Sequence, residues 1–104
     1  MAKEFSKFSA GSVGTAPVTV FTAITKTLIM GCNISNTTSY NLPVSVKIVN
    51  ELSTISIVSG FRLDGRSNDE LVKNKIVLEI GDSIVVSSGL DNSIDVVISA
   101  LKGV

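Results

Sequence analysis

A chain of 104 residues with nine basic and nine acidic side chains, no histidine, no tryptophan and one cysteine is tightly bounded before any motif is read. Its size suits one domain with a single two-layer core, and a lone thiol without histidine excludes an internal disulfide and a histidine-ligated structural zinc. The balanced charge lacks the basic excess of an electrostatically driven nucleic-acid or anionic-membrane binder, and no apolar run approaches the ~20 residues of a spanning helix.

The amino terminus, Met1-Ala2-Lys3-Glu4-Phe5-Ser6, has no apolar core of signal-peptide type. That predicts a chain made in a cytoplasm and kept reduced there. Phe5 and Phe8 stand outside the main apolar series. Residues 1–10 therefore read either as the first edge strand or as an arm that docks on a neighbour, and residues 11–104 as one β domain.

From there the apolar period is two. Leu28, Met30, Cys32 and Ile34 alternate with Ile29, Gly31, Asn33 and Ser35; Val44, Val46 and Ile48 alternate with Ser45, Lys47 and Val49. Ile55 and Ile57 follow, then Ile76, Leu78 and Ile80, then Ile84 and Val86, and Ile94, Val96 and Ile98 close the series. Alternation over such short windows predicts strands with one face on a core. The predicted core face is Leu28, Met30, Ile34, Val46, Ile48, Ile84, Val86, Val96 and Ile98. Cys32 lies in this run and reads as a small buried hydrophobe, with an intermolecular disulfide as the alternative.

Turn residues separate the runs: the segment 11–14, Asn36-Thr37-Thr38-Ser39, Asn50-Glu51, Asp64-Gly65, Gly81-Asp82 and Asp91-Asn92. Pro17 and Pro43 stand at strand starts, where a missing N–H is tolerated. The one helix-compatible stretch, Asp69-Glu70-Leu71-Val72-Lys73-Asn74, allows a single turn. About seven or eight short strands without crossover helices predict an all-β fold, a single antiparallel sandwich of jelly-roll or immunoglobulin-like type.

The search for chemistry assigns no catalytic, cofactor-binding or metal-binding residue. A serine or cysteine nucleophile usually needs a histidine base, and no lysine lies in an apolar run that would depress its pKa. The acids are scattered over turns, where they ordinarily bond their own backbone. Asp64, Asn68, Asp69 and Glu70 offer oxygen ligands, but not in the calcium-loop pattern, and Arg66 brings a positive charge among them. A solvated, mobile loop is expected. Asn33-Ile34-Ser35 and Asn36-Thr37-Thr38 match the glycosylation pattern by accident.

Charged residues make up 17% of the chain, against about 25% in ordinary domains, while Ser, Thr and Asn are plentiful. Such a neutral surface is cheap to desolvate, which points to lasting protein–protein contact; a threonine-rich sheet surface explains it equally well. Candidate contact residues are Phe5 and Phe8 on the arm and Asp64, Arg66, Asn68 and Asp69 in the loop that extends to Lys73. The same four loop residues would serve a carbohydrate- or receptor-binding module, although exposed aromatic platforms are missing from the sequence pattern.

The order of segments carries a family likeness, beginning with Gly11–Thr15 and Val18–Ala23 and including Val44–Val49. Thr27-Leu28-Ile29-Met30-Gly31-Cys32-Asn33 leads into Ile34-Ser35-Asn36-Thr37-Thr38, and Lys75-Ile76-Val77 leads into Leu78-Glu79-Ile80-Gly81-Asp82-Ser83, with Ser93-Ile94-Asp95-Val96-Val97-Ile98-Ser99 to close. This order, over residues 11 to 101, resembles the small β-sandwich structural proteins of tailed bacteriophages. The resemblance implies a non-catalytic virion component: a capsid decoration or cement protein, or a collar, neck, tail or fibre part. It further implies assembly in the host cytoplasm, other virion proteins as partners, homo-oligomerisation, and no cofactor, nucleic-acid or membrane contact.

Overall fold

The alternating apolar residues resolve into nine strands within residues 4–71 and 75–103, which the computed structural model describes. They are β1 (Glu4–Val13), β2 (Val18–Thr22), β3 (Thr27–Asn36), β4 (Leu42–Val49), β5 (Thr54–Leu63), β6 (Asn68–Glu70), β7 (Ile76–Leu78), β8 (Ser83–Ser88) and β9 (Ile94–Lys102). All described pairings are antiparallel. One sheet runs β1-β9-β3-β6, with β7 also on β3; the other runs β2-β8-β4-β5. Because β9 occupies one edge of β3, β6 and β7 share the other as two halves of an interrupted strand. Counted as one, they leave an eight-strand order in which the two sheets interleave as Greek keys. That is the jelly roll, not the immunoglobulin arrangement.

The all-β sandwich is as expected, with nine described strands where about seven or eight were expected. Asn68–Glu70, expected to be loop or a helical turn, pairs with Ser35, Ile34 and Asn33 as a strand. Val72, Lys73 and Asn74 of that stretch lie outside the described residues. Of the two readings of the segment containing Phe5 and Phe8, the structure shows the edge strand: β1 is in register with β9 from Glu4 opposite Lys102 to Ala10 opposite Val96.

The core is Ile29, Ile34, Leu78, Ile84, Ile94, Ile98, Val44, Val46, Val86 and Val96, each essentially fully buried. The prediction missed on β3, and the cause is a bulge. Ile29 faces Ala100 and Gly31 faces Ser99, so Met30 is an extra residue without an opposite number. One added residue reverses the side-chain phase. Thr27 and Ile29 point inward before it, and Cys32, Ile34 and Asn36 after it. Leu28 and Met30, expected in the core, are consequently half-buried and exposed on the outer face. Gly31 marks the spot: a Cβ there would stand 2.6 Å from Glu70 Oε1, because the Glu70 carboxylate lies over it. Elsewhere Ile48 is only half-buried, while Ile55 and Ile80 are exposed.

The bulge also isolates Cys32, whose side chain is fully buried. Its N–H donates to the Glu70 carboxylate, and its carbonyl accepts from Leu71 at 2.9 Å. Burial first, and the Glu70 charge second, push the thiol from 9.0 up to about 12. Native Cys32 should therefore resist thiol reagents until denaturant is added, which timed labelling measures. Folding raises this pKa, so the thiol's contribution to stability is complete below 9.0 and is lost as pH climbs toward about 12. Denaturant titrations at neutral pH and near pH ~10 should show a steeper alkaline loss for the native chain than for Cys32→Ala, approaching tenfold in the unfolding constant per pH unit.

Candidate functional site

Phe5 and Phe8 are three residues apart on one strand, and a strand alternates faces, so they point in opposite directions. Phe8 turns inward: its ring centroid lies 4.1 Å from that of Phe21, and Lys102 Nζ stands 5.8 Å from the Phe8 centroid. It is a packing residue of the sandwich edge. Phe5 turns outward and is 73% exposed.

The loop after β5 is held far more firmly than its composition suggests. Asn36 is buried at the end of β3 and acts as the hub. Its Nδ2 donates to the carbonyls of Tyr40 (2.6 Å), Leu63 (3.2 Å) and Asp64 (3.2 Å), and its Oδ1 accepts from the Thr38 N–H (2.9 Å) and hydroxyl (2.8 Å). The N–H of Arg66 donates to Thr38 O at 2.8 Å, and that of Gly65 to Asn41 Oδ1 at 3.0 Å. Gly65 passes so close that a Cβ would stand 2.5 Å from Ser39 O. Arg66 itself adopts φ 57. The expected solvated, mobile loop is thus a laced turn. Its second glycosylation-like asparagine, Asn36, is committed to this network.

The loop's oxygen ligands do not converge. Asp64 meets Arg62 Nε at 3.5 Å, Glu70 turns to Cys32, and Asp69 sits in β6 opposite Ile34. Among the described residues no cluster of three or more metal-ligating side chains forms. Arg66 and Asn68 do come together, lining a shallow, open, polar concavity with Ser35, Asn36 and Ser67. This concavity and Phe5 occupy opposite edges of one sheet and opposite ends of its strands. The two predicted contact regions are therefore separate surfaces.

A third polar junction ties the turn between β8 and β9 to the connection between β1 and β2. Asp91 accepts from the Thr15 hydroxyl (2.7 Å) and N–H (3.1 Å). These contacts, the hydroxyl foremost, hold the Asp91 carboxyl below the usual carboxylate range. A depressed pKa means that the contact supports the fold at neutral pH and is lost on acidification through that pKa.

Two apolar features escaped the sequence reading. Across the outer face of the β1-β9-β3 sheet, Phe5 lies opposite Leu101, Leu101 opposite Leu28, and Leu28 opposite Val77, forming one continuous row with Met30 beside it. At the far end of the second sheet, Ile24, Leu52 and Ile80 stand 76%, 96% and 73% exposed on three loops. Hydrogen bonds between Gly81 and Ala23, and between Asn50 and Asp82, stitch those loops together. The first feature was legible only through Gly31, whose place inside a strand pattern is a bulge signal.

No family model matches the chain, and no curated protein matches it in sequence. In fold it is similar to a chain of the T13 viral particle of IBDV, with a TM-score of 0.57 and 14% identity over 95% of this chain. The match spans 30% of that viral chain, so this protein corresponds to less than a third of it.

Proposed function

We propose that the protein is a non-catalytic structural component of a virion, held with other virion proteins in a symmetric, homo-oligomeric assembly. We place that virion among the tailed phages, with the protein acting as a capsid decoration or cement protein or as a neck or tail component. The interleaved sheet order carries the reading, since viral capsid proteins are prominent users of the jelly roll. The fold likeness to a chain of a viral particle supports it, as does a surface in which neutral hydroxyls and amides replace charge. Such a surface can form lasting contacts without desolvating ions.

The test is the particle itself. Mass spectrometry of gradient-purified phage should find the protein at a fixed copy number relative to the major capsid or tail protein. High salt should not strip it, because charge does not drive the contact. Presence in infected-cell extract with absence from purified particles would overturn the reading. A carbohydrate- or receptor-binding module is the second reading, and the Arg66–Asn68 concavity is what favours it. Glycan binding that Arg66→Ala abolishes would decide for that alternative.

A further inference from the structure

The two sheets end in edges of different quality. A strand edge offers unpaired N–H and C=O groups to any passing strand, and proteins usually blunt it. β2 is five residues long and bulged between Thr19 and Phe21. β5 carries two register shifts against β4 and a kink at Gly60, φ 65. β6 and β7 have three residues each. β1 differs: from Glu4 to Ala10 it is an unbroken run in regular register, and no described strand pairs its outer edge. Its irregularity comes only afterwards, at Ser12, φ 54, where Asp95 Oδ1 accepts the Ser12 N–H at 2.9 Å.

We infer that β1 is a self-association edge, pairing antiparallel with β1 of a second copy across a two-fold axis centred on Ser6. A second copy is the occupant that fits, for three reasons. Each edge brings one acid, Glu4, and one base, Lys7, and the chain is neutral, so two copies meet without net repulsion. Opposite residues in a continuous sheet must share a face, which leaves registers centred on a residue. Centring on Lys7 would set two like charges directly opposite, whereas centring on Ser6 sets Phe5 opposite the partner copy's Lys7 twice over, an aromatic face against a cation. Finally, the pairing joins the two outward rows that run from Phe5 through Leu101 and Leu28 to Val77 into one band spanning both copies. This deepens the assembly reading above by naming the contact between copies. It is tested on the isolated chain, so its failure and the failure of virion incorporation are separate results.

The experiment is light scattering and sedimentation of the purified protein, with amide exchange read across β1. A dimer is expected, with exchange slowing, as concentration rises, at those amides of Glu4–Phe8 that point away from β9. Phe5→Lys sets a lysine against Lys7 of the other copy and should weaken the dimer about tenfold or more; at concentrations low enough for both chains to be monomeric its melting curve should match the native one, because Phe5 is exposed in the single chain. Lys7→Glu removes the cation and makes both edges acidic, with a similar loss. Combining Phe5→Lys with Lys7→Glu sets opposite charges face to face in the Ser6-centred register and should restore the dimer. A chain that stays monomeric, a dimer indifferent to Phe5→Lys and Lys7→Glu, or a double variant weaker than either single one would each overturn the inference.

Discussion

Val46→Asp will leave the chain unfolded at neutral pH. Val46 is fully buried on β4, an interior strand of its sheet, with Val86 opposite it on β8 and Val58 on β5. An unpaired carboxylate at that point costs several kcal/mol, even after its pKa rises to meet the environment. The whole domain holds only about 5–15 kcal/mol. Two controls separate charge from shape. Val46→Thr keeps the volume and buries one hydroxyl, for about 1–3 kcal/mol. Ser45→Asp places the same charge one residue away on the opposite face, where the Ser45 hydroxyl now accepts the Gly60 N–H at 3.0 Å and a carboxylate can still accept it. That variant should melt cooperatively near the native temperature. Circular dichroism melts rank all three, and a cooperatively folding Val46→Asp protein would show that the face of β4 is wrongly assigned.

What alternation could and could not reveal follows from where the strands stay regular. On β4, β8 and β9 the apolar period runs nearly unbroken, and Val44, Val46, Ile84, Val86, Ile94, Val96 and Ile98 are all buried as their spacing requires. On β3 the same rule puts Leu28 and Met30 on the wrong face, because a pattern of period two cannot register an inserted residue. The consequence reaches the candidate surface: Leu28 and Met30, read as core, belong to the outer apolar row with Phe5, Leu101 and Val77. β6 is invisible for a different reason. Asn68-Asp69-Glu70 has no apolar alternation, and what makes it a strand is the free edge of β3 beside it together with the reach of Glu70 to the Cys32 N–H. Phe8 shows the limit most directly. Its aromatic side chain was legible, but only the partner Phe21, supplied by the opposite sheet, makes it a packing residue while Phe5 stays outside.

Asn36→Ala will lower stability by about 3–5 kcal/mol, a drop of more than about 10 °C in melting temperature. The change strips the buried end of β3 of an amide that serves five backbone and hydroxyl groups. Asn36→Asp is the sharper variant, since it keeps size and the accepting oxygen. It replaces the donor that faces the carbonyls of Tyr40, Leu63 and Asp64 by a second acceptor, so three partial negative charges meet a carboxylate. Its folded-state pKa must then rise above the ordinary value of about 3.9. A raised pKa contributes stability below the unfolded value and loses it as pH rises. The gap between Asn36→Asp and native should therefore be narrow near pH ~4 and wide at neutral pH. Denaturant titrations at both pH values check this. Amide exchange then separates local from global effects: Gly65 and Arg66, whose N–H groups are held by the turn that Asn36 organises, should open well before the β9 amides. If Asn36→Asp instead matches the native protein at neutral pH, the turn does not depend on the Asn36 amide as its donor. The carbonyls of the 63–64 segment must then find their donors elsewhere, and the Arg66–Asn68 concavity loses its anchor.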